Sequence, residues 1–494
     1  MNPINSEEIF EKTMLDITPQ LSYFNNYDLV IGIPFINEGD QLTQLLRSID
    51  EVLKKRMGKR QLIVCAGDHS AGATLEMLNN ITLQHPHIQF LLPPEISGRG
   101  MSVRAIIEIS KRLDADLLLF SAKMATENGP GIEDTWLEGL INPIQGLYDL
   151  VLGSLRRHTG IDSIAHMLAA PILESFYGFR AGDPMGGIYA ISHEFTEELA
   201  YEARFWEDTI MGAGIDFWIL TRALVWNKNI CEVSMGGLVS PHSLEDRNRI
   251  FAENALTIFE ALKRDRSIWL QERLVIRVAD ILARSEIKKP DVISYSLKQL
   301  RENFIRGYQE YGQHFSGFTG KQEIENLASP DADDYFMKDE MWTSALFFLF
   351  LKYSFSIDKE HKREMILALT ALYNGRIASY VQEMQQFNKN VTCSTDAERD
   401  QFMVRKMESV KQRLTDYFWK MKPDFSRRWV MKNEEMKPPL IPLGYMEYVP
   451  GVPIVVPKKI TGKGGRIVNT DNIFKELRKK YETKFNQFIS EGLG

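Results

Sequence analysis

Several short stretches combine small residues with groups that could bind a phosphorylated ligand, and each lies next to a predicted strand. Residues 33–39 (Ile-Pro-Phe-Ile-Asn-Glu-Gly) end the first apolar run of the chain. Pro34 and the Glu38 carboxylate suit a site that grips a flat base and a ribose. A loop that leads into a helix is an equally good interpretation of the same residues.

The second stretch, residues 67–74 (Gly-Asp-His-Ser-Ala-Gly-Ala-Thr), follows the next predicted strand. Its small residues let a backbone approach a ligand closely, and Asp68 could accept hydrogen bonds from a base or from ribose hydroxyls. Asp68 could also cap the following helix, and a cap does not exclude contact with a ligand.

The third stretch, Gly98-Arg99-Gly100, precedes a predicted helix. Glycines and a cation at a helix N-terminus form an anion site, because free backbone amides point outward there. A diphosphate is the anion that we expect, although this glycine pattern before a helix is common.

The residues at the two ends of the fourth predicted strand differ in whether they can contact a ligand. Asp114-Ala115-Asp116 has the Asp-x-Asp pattern that can hold a divalent metal, but it leads into the start of the strand at 116–120. We therefore predict a solvated turn between a helix and a strand. The residues that follow the strand are Ser121-Ala122-Lys123, which bring a cation instead of carboxylates.

Two later pairs of residues could contact a second ligand. Arg156 and Arg157 follow the predicted strand Asp-Leu-Val-Leu-Gly-Ser-Leu and could clamp an anionic acceptor. A charged surface segment is the alternative. Gly186 and Gly187 precede another strand, and adjacent glycines allow a close backbone approach.

Two single residues complete the candidates. Asp216 lies in Gly-Ile-Asp-Phe-Trp, among large apolar side chains. A carboxylate in such surroundings is either a paired core residue or a functional one. His242 follows the predicted strand Ile-Cys-Glu-Val-Ser-Met, and a lone histidine is more often structural than a ligand.

The elements that position these residues alternate between strands and helices through the first half of the chain. Such alternation predicts an α/β domain with a mostly parallel sheet and helices on both faces. Right-handed crossovers place the carboxyl ends of parallel strands on one edge, and ligands bind outside those ends. The predicted strands are 28–36, 61–66, 88–92 and 116–120, and the first helix is 40–56.

The pattern of apolar residues changes near residue 246, where long stretches with helical spacing replace the strand-like runs. The pattern of apolar residues over 338–386 predicts a helical hairpin that is broken near Ser356–Asp358. Residues 436–461 contain six prolines and predict an extended strap, and residues 471–490 predict an amphipathic helix. The predicted division of the chain is an N-terminal extension at 1–27, a nucleotide-binding domain at 28–245, a helical domain at 246–430 and a C-terminal strap and helix at 431–494.

Composition excludes several classes of protein. The chain has 494 residues, 44% hydrophobic and 25% charged, with a net charge of -7, which argues against a nucleic-acid partner. Its three cysteines are widely separated, and this fits a reducing cytoplasm. The acidic N-terminus does not resemble a signal peptide. The most apolar helical run, 343–355, is too short to span a bilayer and predicts a buried helix.

In their order along the chain, these stretches resemble the GT-A glycosyltransferases. The nearest subgroup is the retaining mannosylglycerate and glucosyl-3-phosphoglycerate synthases. The likeness rests on Ile-Pro-Phe-Ile-Asn-Glu-Gly, Gly-Arg-Gly, Pro-Met-Gly-Gly, Gly-Ile-Asp-Phe-Trp and the late histidine. It covers residues 28–245 and, more loosely, the helical region, but not 431–494. It implies a GT-A type fold, Rossmann-like, followed by a mainly α-helical C-terminal domain.

The resemblance also implies an activity and a role for each residue. It implies transfer of a hexose, with retention, from UDP-glucose or GDP-mannose to glycerate or phosphoglycerate. The cysteine usage predicts a cytoplasmic location, and the large helical C-terminal domain is compatible with a homodimer. The implied roles are nucleoside binding for Pro34, Asn37, Glu38 and Asp68, diphosphate binding for Arg99, sugar and acceptor binding for Gly186 and Gly187, donor-sugar or acceptor contact for Asp216, and metal binding for His242.

The chain lacks acidic residues of this family in two stretches. The Asp-x-Asp metal ligands of the family fall on Ser121-Ala122-Lys123, and the acidic residue after the paired glycines falls on Ile188. A divalent metal, Mg²⁺ or Mn²⁺, would therefore depend on His242, although both ions prefer oxygen ligands.

Three hypotheses follow from these departures. The first is an active transferase in which Lys123 and Asp216 are catalytic and the Lys123 ammonium replaces the metal charge. The second is a degenerate relative that binds a nucleotide sugar or a protein partner without transfer. In the third, Glu127 or Asp134 restores metal binding.

Overall fold

The structure is a computed structural model of the whole chain. It describes residues 6–21, 27–55, 60–126, 129–154, 164–206, 208–235, 238–239, 244–271, 277–283, 296–329, 336–435, 459–461 and 467–469.

Short strands supply the sheets of the molecule, and most of them lie before residue 240. The strands are β1 (Leu29–Phe35), β2 (Gln61–Gly67), β3 (His87–Leu91), β4 (Asp116–Leu119), β5 (Met124–Thr126), β6 (Gly129–Pro130), β7 (Leu150–Ser154), β8 (Phe179–Arg180), β9 (Tyr189–Ile191), β10 (Ile230–Ser234), β11 (Leu238–Val239), β12 (Arg277–Val278), β13 (Asp280–Ala283), β14 (Lys459–Thr461) and β15 (Ile467–Asn469).

Helices connect these strands and then dominate the rest of the chain. They are α1 (Ser6–Leu21), α2 (Asp40–Lys54), α3 (Gly72–Asn79), α4 (Arg99–Arg112), α5 (Asp134–Ile144), α6 (Ala170–Tyr177), α7 (His193–Glu202), α8 (Ile215–Val225), α9 (Leu244–Arg264), α10 (Arg266–Trp269), α11 (Leu297–Tyr311), α12 (Lys321–Leu327), α13 (Asp339–Phe355), α14 (Lys359–Asn390) and α15 (Asp396–Glu435).

Eight of the described strands form one sheet in the order β13-β10-β7-β9-β4-β1-β2-β3. The pairings of β1 with β2 and β4, and of β10 with β7 and β13, are parallel. Strand β9 is antiparallel to both of its neighbours, β4 and β7. The mostly parallel sheet is therefore confirmed, and the inverted strand is a feature that the alternation of strands and helices did not predict.

Helices cover both faces of this sheet, as predicted. Along β1, Val30 joins one hydrophobic core and its neighbours Leu29 and Ile31 join another, because successive side chains of a strand point to opposite faces. One face carries residues of α4, α7 and α8, and the other carries residues of α2, α3 and α5. The chain has the α/β architecture, a mostly parallel sheet with helices on both faces, that the sequence led us to expect.

The helical region shares a continuous core with the first of these faces. Buried residues of α9, α11, α13, α14 and α15 belong to the same cluster as those of α4 and α8. The indole of Trp342 on α13 donates to the carbonyl of Met167, 3.0 Å away, and Phe251 stacks on Tyr373 at 3.9 Å. The sheet and the helices that follow it are thus packed into one body.

The predicted helical hairpin is confirmed, with α13 ending at Phe355 and α14 beginning at Lys359. The apolar run at 343–355 is a helix with buried faces, as expected. Among the described helices, none combines the length and the apolar content that crossing a lipid bilayer requires.

One edge strand of the main sheet comes from the segment predicted to be helical. Strand β13 pairs with β10, and residues 1–447 form one compact unit. The boundary at 245/246 stays a prediction. In the second unit, 448–494, β14 and β15 pair antiparallel. Most of the proline-rich segment and all of the predicted helix at 471–490 lie outside the described residues.

A buried ionic network holds α8 in place. Arg222 on α8 lies 2.5 Å from Asp265, which also accepts from the Tyr177 hydroxyl at 2.9 Å and from Arg264 at 3.1 Å. Burial alone would raise the pKa of Asp265, but Arg222 and Arg264 hold it below its ordinary value. The network joins the ends of α6 and α9 to the helix that carries Asp216.

We expect Asp265→Asn to destabilise the protein by about 3–5 kcal/mol, because it leaves two buried guanidinium groups without their carboxylate. Urea unfolding measures the change. Asp424→Asn is the matched control, since Asp424 pairs with Arg427 and Arg428 at the surface and such pairs contribute about 0–1 kcal/mol. Equal effects of the two substitutions would contradict a dominant role for the buried network.

Candidate functional site

The inverted strand brings the paired glycines to the edge where the parallel strands end. Strands β4 and β7 end at Leu119 and Ser154, and β9 begins at Tyr189 between them. Since β9 runs in the opposite direction, its first residue lies beside the carboxyl ends of its neighbours. The loop that contains Gly186 and Gly187 therefore opens onto the predicted ligand edge.

An ion pair between Arg99 and Asp216 lies in this part of the molecule. The Arg99 Nη1 donates to the Asp216 Oδ2 over 2.8 Å, and the side chains are 25% and 12% exposed. A Cβ on Gly187 would lie 3.1 Å from the Arg99 Nη2 and 3.8 Å from the Asp216 Oδ2. Gly187 also has φ of +69°, so its backbone packs against the pair in a conformation that favours glycine.

The N-terminus of α4 differs from the predicted anion site. The amides of Gly100 and Met101 donate to the carbonyl of Met211 over 2.7 and 3.3 Å. A Cβ on Gly100 would lie 2.0 Å from the carbonyl oxygen of Ile210. The lack of a side chain at Gly100 lets the 210–212 segment approach the helix. Two of the amides expected to face a diphosphate are already paired with the Met211 carbonyl. The Arg99 guanidinium is the cationic contribution of this stretch.

Two buried acidic residues, Asp183 and Glu232, adjoin the paired glycines and were not among the sequence candidates. Both are 4% exposed. The Gly182 amide donates to the Glu232 Oε2 over 2.7 Å, and a Cβ on Gly186 would lie 3.1 Å from the Asp183 Oδ2. Burial raises the pKa of Glu232 and outweighs the hydrogen bonds from Gly182 and Ser154, which lower it, while the charge of the Asp183 carboxylate adds to the rise. A glutamate within the apolar strand 230–235 was the one sequence signal for it.

The Tyr189 hydroxyl lies close enough to Asp216, Asp183 and Arg99 for their charges to affect its pKa. Tyr189 is 1% exposed, and burial raises the pKa of its hydroxyl well above the usual value. Asp216 and Asp183 raise it further, while Arg99 opposes them. The start of β9 is therefore a buried, predominantly acidic environment in which Arg99 supplies a compensating positive charge.

The ends of β1 and β2 meet, as the sequence predicted, because the Asp68 amide donates to the Phe35 carbonyl over 3.0 Å. Pro34 is buried inside β1, whereas Asn37 is exposed just beyond it. The Glu38 Oε2 accepts from the Ile36 amide at 2.7 Å. The Glu38 carboxylate thus braces its own loop.

Asp68 is held by hydroxyl groups beside this loop. Its carboxylate accepts from the Ser70 amide and hydroxyl at 2.9 and 2.7 Å and from the Ser97 hydroxyl. Burial would raise the pKa of Asp68, but the hydrogen bonds from Ser97 and Ser70 outweigh it and lower the pKa. Asp68 is an ionised acceptor at neutral pH.

The residues after β4 form a half-buried turn. Lys123 is partly exposed, and its amide donates to the Ser121 hydroxyl at 3.4 Å. Asp114, at the opposite end of the strand, has φ of 58° and lies 2.6 Å from His193. The predicted turn at Asp114–Asp116 is confirmed, and Lys123 is at the ligand edge.

The described residues at this edge do not bring three His, Cys, Asp or Glu ligands together. Asp216 is paired with Arg99, and Asp134 lies 2.7 Å from Lys55. The described residues offer one three-ligand group, which lies in the helical region. Lys123 occupies the strand-end position. Arg156, Arg157, His242 and Glu127 lie outside the described residues, and their predicted roles stay predictions.

Comparisons with known proteins find similarity among solved structures. No family model and no curated protein matches the chain. Glucosyl-3-phosphoglycerate synthase from Mycobacterium tuberculosis, in complex with phosphoglyceric acid, is 14% identical over 53% of this chain and 85% of that chain, with a TM-score of 0.35. Mannosyl-3-phosphoglycerate synthase from Rubrobacter xylanophilus is 16% identical over 54% and 85%, with a TM-score of 0.38.

A further structure of the mycobacterial enzyme, in complex with Mg²⁺ and uridine diphosphate, is 12% identical over 50% of this chain and 83% of that chain, with a TM-score of 0.35. These proteins bear the names of the subgroup that the sequence resembles. Identities of 12–16% do not assign the chain to a family.

The raised pKa of Glu232 makes stability depend on pH. The folded protein retains the carboxyl proton at pH values where the unfolded chain has lost it. The stability contributed by protonated Glu232 is complete below its ordinary pKa of 4.5 and declines as pH rises through the folded value. We expect the free energy of unfolding of the wild type to fall relative to Glu232→Gln as pH rises from 4.5. Urea unfolding across this range measures the difference, and a constant difference would contradict the assignment.

Proposed function

We propose that the chain is a glycosyltransferase that moves a hexose, with retention, from a nucleotide sugar to a small anionic hydroxy acid of the glycerate or phosphoglycerate type. The observation that carries the proposal is the Arg99–Asp216 pair against Gly187, at the sheet edge where a doubly wound fold binds its ligand. A cation can pair with phosphate oxygens, a carboxylate can accept hydrogen bonds from sugar hydroxyls, and a glycine backbone leaves space beside them.

The nucleoside would occupy the ends of β1 and β2. Asp68 is ionised and partly exposed there, and its preset hydroxyl contacts hold the carboxylate in one orientation. Asn37 is exposed beside it, on the loop braced by Glu38 and next to the buried Pro34. These residues would bind the base and the ribose hydroxyls.

The diphosphate and the hexose would lie across the Arg99–Asp216 pair. Arg99 uses one of its guanidinium nitrogens for Asp216, and a guanidinium has further N–H groups for phosphate oxygens. Asp216 would accept a hydrogen bond from a hydroxyl of the donor sugar or of the acceptor. Gly186 and Gly187 would leave room for the reacting groups, with Arg156 and Arg157 as predicted contacts of the acceptor carboxylate or phosphate.

Transfer breaks the bond between the anomeric carbon and a diphosphate oxygen and forms a bond from the acceptor hydroxyl oxygen to the same carbon. The acceptor attacks from the face that the diphosphate leaves, so retention requires no protein nucleophile, and the hydroxyl proton passes to the departing diphosphate, so no protein base is required. Negative charge grows on the diphosphate, and Lys123 would stabilise it in place of a metal, since preorganised cations lower such barriers. The fit of the described residues to this arrangement supports the first of the three sequence hypotheses.

A non-catalytic relative that binds a nucleotide sugar is the second candidate. It is favoured by the observation that Asp216 is already paired with Arg99 and that the described residues at this edge do not bring three metal ligands together. The two candidates share the donor site and differ in turnover, so binding and transfer must be measured separately.

Calorimetric titration with UDP-glucose and GDP-mannose, each in Mn²⁺ and in EDTA, tests the donor site. We expect one of the two donors to bind with the same affinity in both buffers, because the site supplies its own cations. Binding that requires Mn²⁺ would instead place metal ligands among residues such as His242. Failure of both donors to bind would contradict the proposed donor site.

Lys123→Ala tests the role of the cation. We expect turnover with phosphoglycerate or glycerate to fall by about 10²–10³-fold while donor affinity changes much less, because the charge that Lys123 would stabilise develops in the transition state. Release of the nucleoside diphosphate measures turnover. Lys55→Ala, which removes an exposed lysine paired with Asp134, is the control and should retain full activity. Full turnover in Lys123→Ala would eliminate the substitution of a lysine for the metal.

A further inference from the structure

A second cluster of ionisable side chains lies in the helical region, outside the strand-end site. His314 belongs to the tight turn Gly312–Phe315 that follows α11. His361 and Glu364 lie near the start of α14, and their spacing of three residues places them on one side of the helix. Residues from two separate segments of the chain therefore meet at this point.

The three side chains present their ligand atoms to one another. The His314 Nε2 lies 2.9 Å from the Glu364 Oε2, and the rings of His314 and His361 are nearly perpendicular with centroids 5.6 Å apart. One imidazole nitrogen from each histidine and one Glu364 oxygen all lie within 4.8 Å of one another.

The protonation of the cluster suits a cation. His314 is 4% exposed, and burial lowers its pKa, helped by the neighbouring Lys352 and His361 and opposed by Glu364. A neutral imidazole is the form that binds a metal. For the Nε2 to bind, the ring proton must reside on the Nδ1, which the exchange of protons with water allows.

Other charged groups also face the cluster. The Lys352 ammonium donates to the His314 carbonyl over 2.8 Å, so its charge reduces the attraction for a cation. The Asp358 carboxylate lies 3.7 Å from the His361 Nδ1 and can orient that ring, as carboxylates do behind metal-bound histidines. Because these two charges oppose each other, affinity for a metal ion would come from direct coordination by the three side chains and not from a net negative charge around them.

We propose that His314, His361 and Glu364 form a binding site for a zinc-class divalent transition metal ion, with water completing its coordination. Two imidazoles and one carboxylate match the ligands of Zn²⁺ and its neighbours, whereas Mg²⁺ and Ca²⁺ prefer sites made of oxygen. The site lies outside the proposed sugar-nucleotide site and does not depend on that function.

Little movement is needed to seat the ion. Ligand atoms about 2.0–2.1 Å from a tetrahedral zinc lie about 3.4 Å from each other. The contact between His314 and Glu364 must open slightly, and His361 must approach. The side chains of His361 and Glu364 are 59% and 31% exposed, so both can adjust while the buried His314 stays fixed. The ion would then fasten the turn after α11 to the start of α14.

Zinc titration of the untagged, EDTA-treated full chain tests the site. Calorimetry should show one equivalent bound, cobalt(II) should give the visible bands of a four-coordinate ion, and zinc should raise Tm by at least about 2 °C. His361→Gln and Glu364→Gln should each weaken zinc binding by at least about tenfold. Both residues are outside the core, so these variants should fold.

Matched controls separate this site from binding at other histidines. Glu360→Gln removes an exposed carboxylate on the same helix that pairs with Arg363. His87→Gln removes a partly exposed histidine from β3. Both controls should bind zinc like the wild type. The proposal is overturned if the wild type binds no zinc, or if His361→Gln and Glu364→Gln bind it with wild-type affinity.

Discussion

Strand β9 runs against both of its neighbours, and the arrangement of the strand-end site depends on this reversal. A parallel strand at that place would begin at the opposite edge of the sheet and would carry the paired glycines away from the ligand edge. Because β9 begins at Tyr189 between the ends of β4 and β7, Gly187 meets the Arg99–Asp216 pair. Residues on α4, β9 and α8 thereby meet although they are far apart in the sequence.

The buried charges at the strand-end site determine the charge of the ligand that it can bind. Asp183, Glu232 and Asp216 are buried near the start of β9, and burial raises the pKa of Glu232. An anionic ligand would be repelled there without compensating cations. Arg99 neutralises Asp216, and Lys123 lies at the end of β4, so we propose that cations of the chain act at this edge in place of a bound metal.

The helical region supports the site instead of forming a separate body beside it. The buried network around Asp265 fixes the helix that carries Asp216, and Trp342 bonds to the Met167 carbonyl across the shared core. Strand β13 even completes the main sheet from beyond the predicted boundary. Hydrophobic periodicity could not reveal this, because it reports the faces of each element and not the surfaces that those faces meet.

The sequence by itself determined the elements and the edge. Apolar runs of strand length, helical spacing and a known handedness of connection were sufficient for the parallel sheet, and the position of Asp114–Asp116 at the start of β4 excluded these residues from the ligand edge. The tertiary structure decided the partners: the amides of α4 bind Met211, Arg99 binds Asp216, and Glu232 lies beside Asp183. The reason is physical, since secondary structure depends on neighbours along the chain, whereas the charge and pairing of a buried group depend on segments that only the folded core brings together.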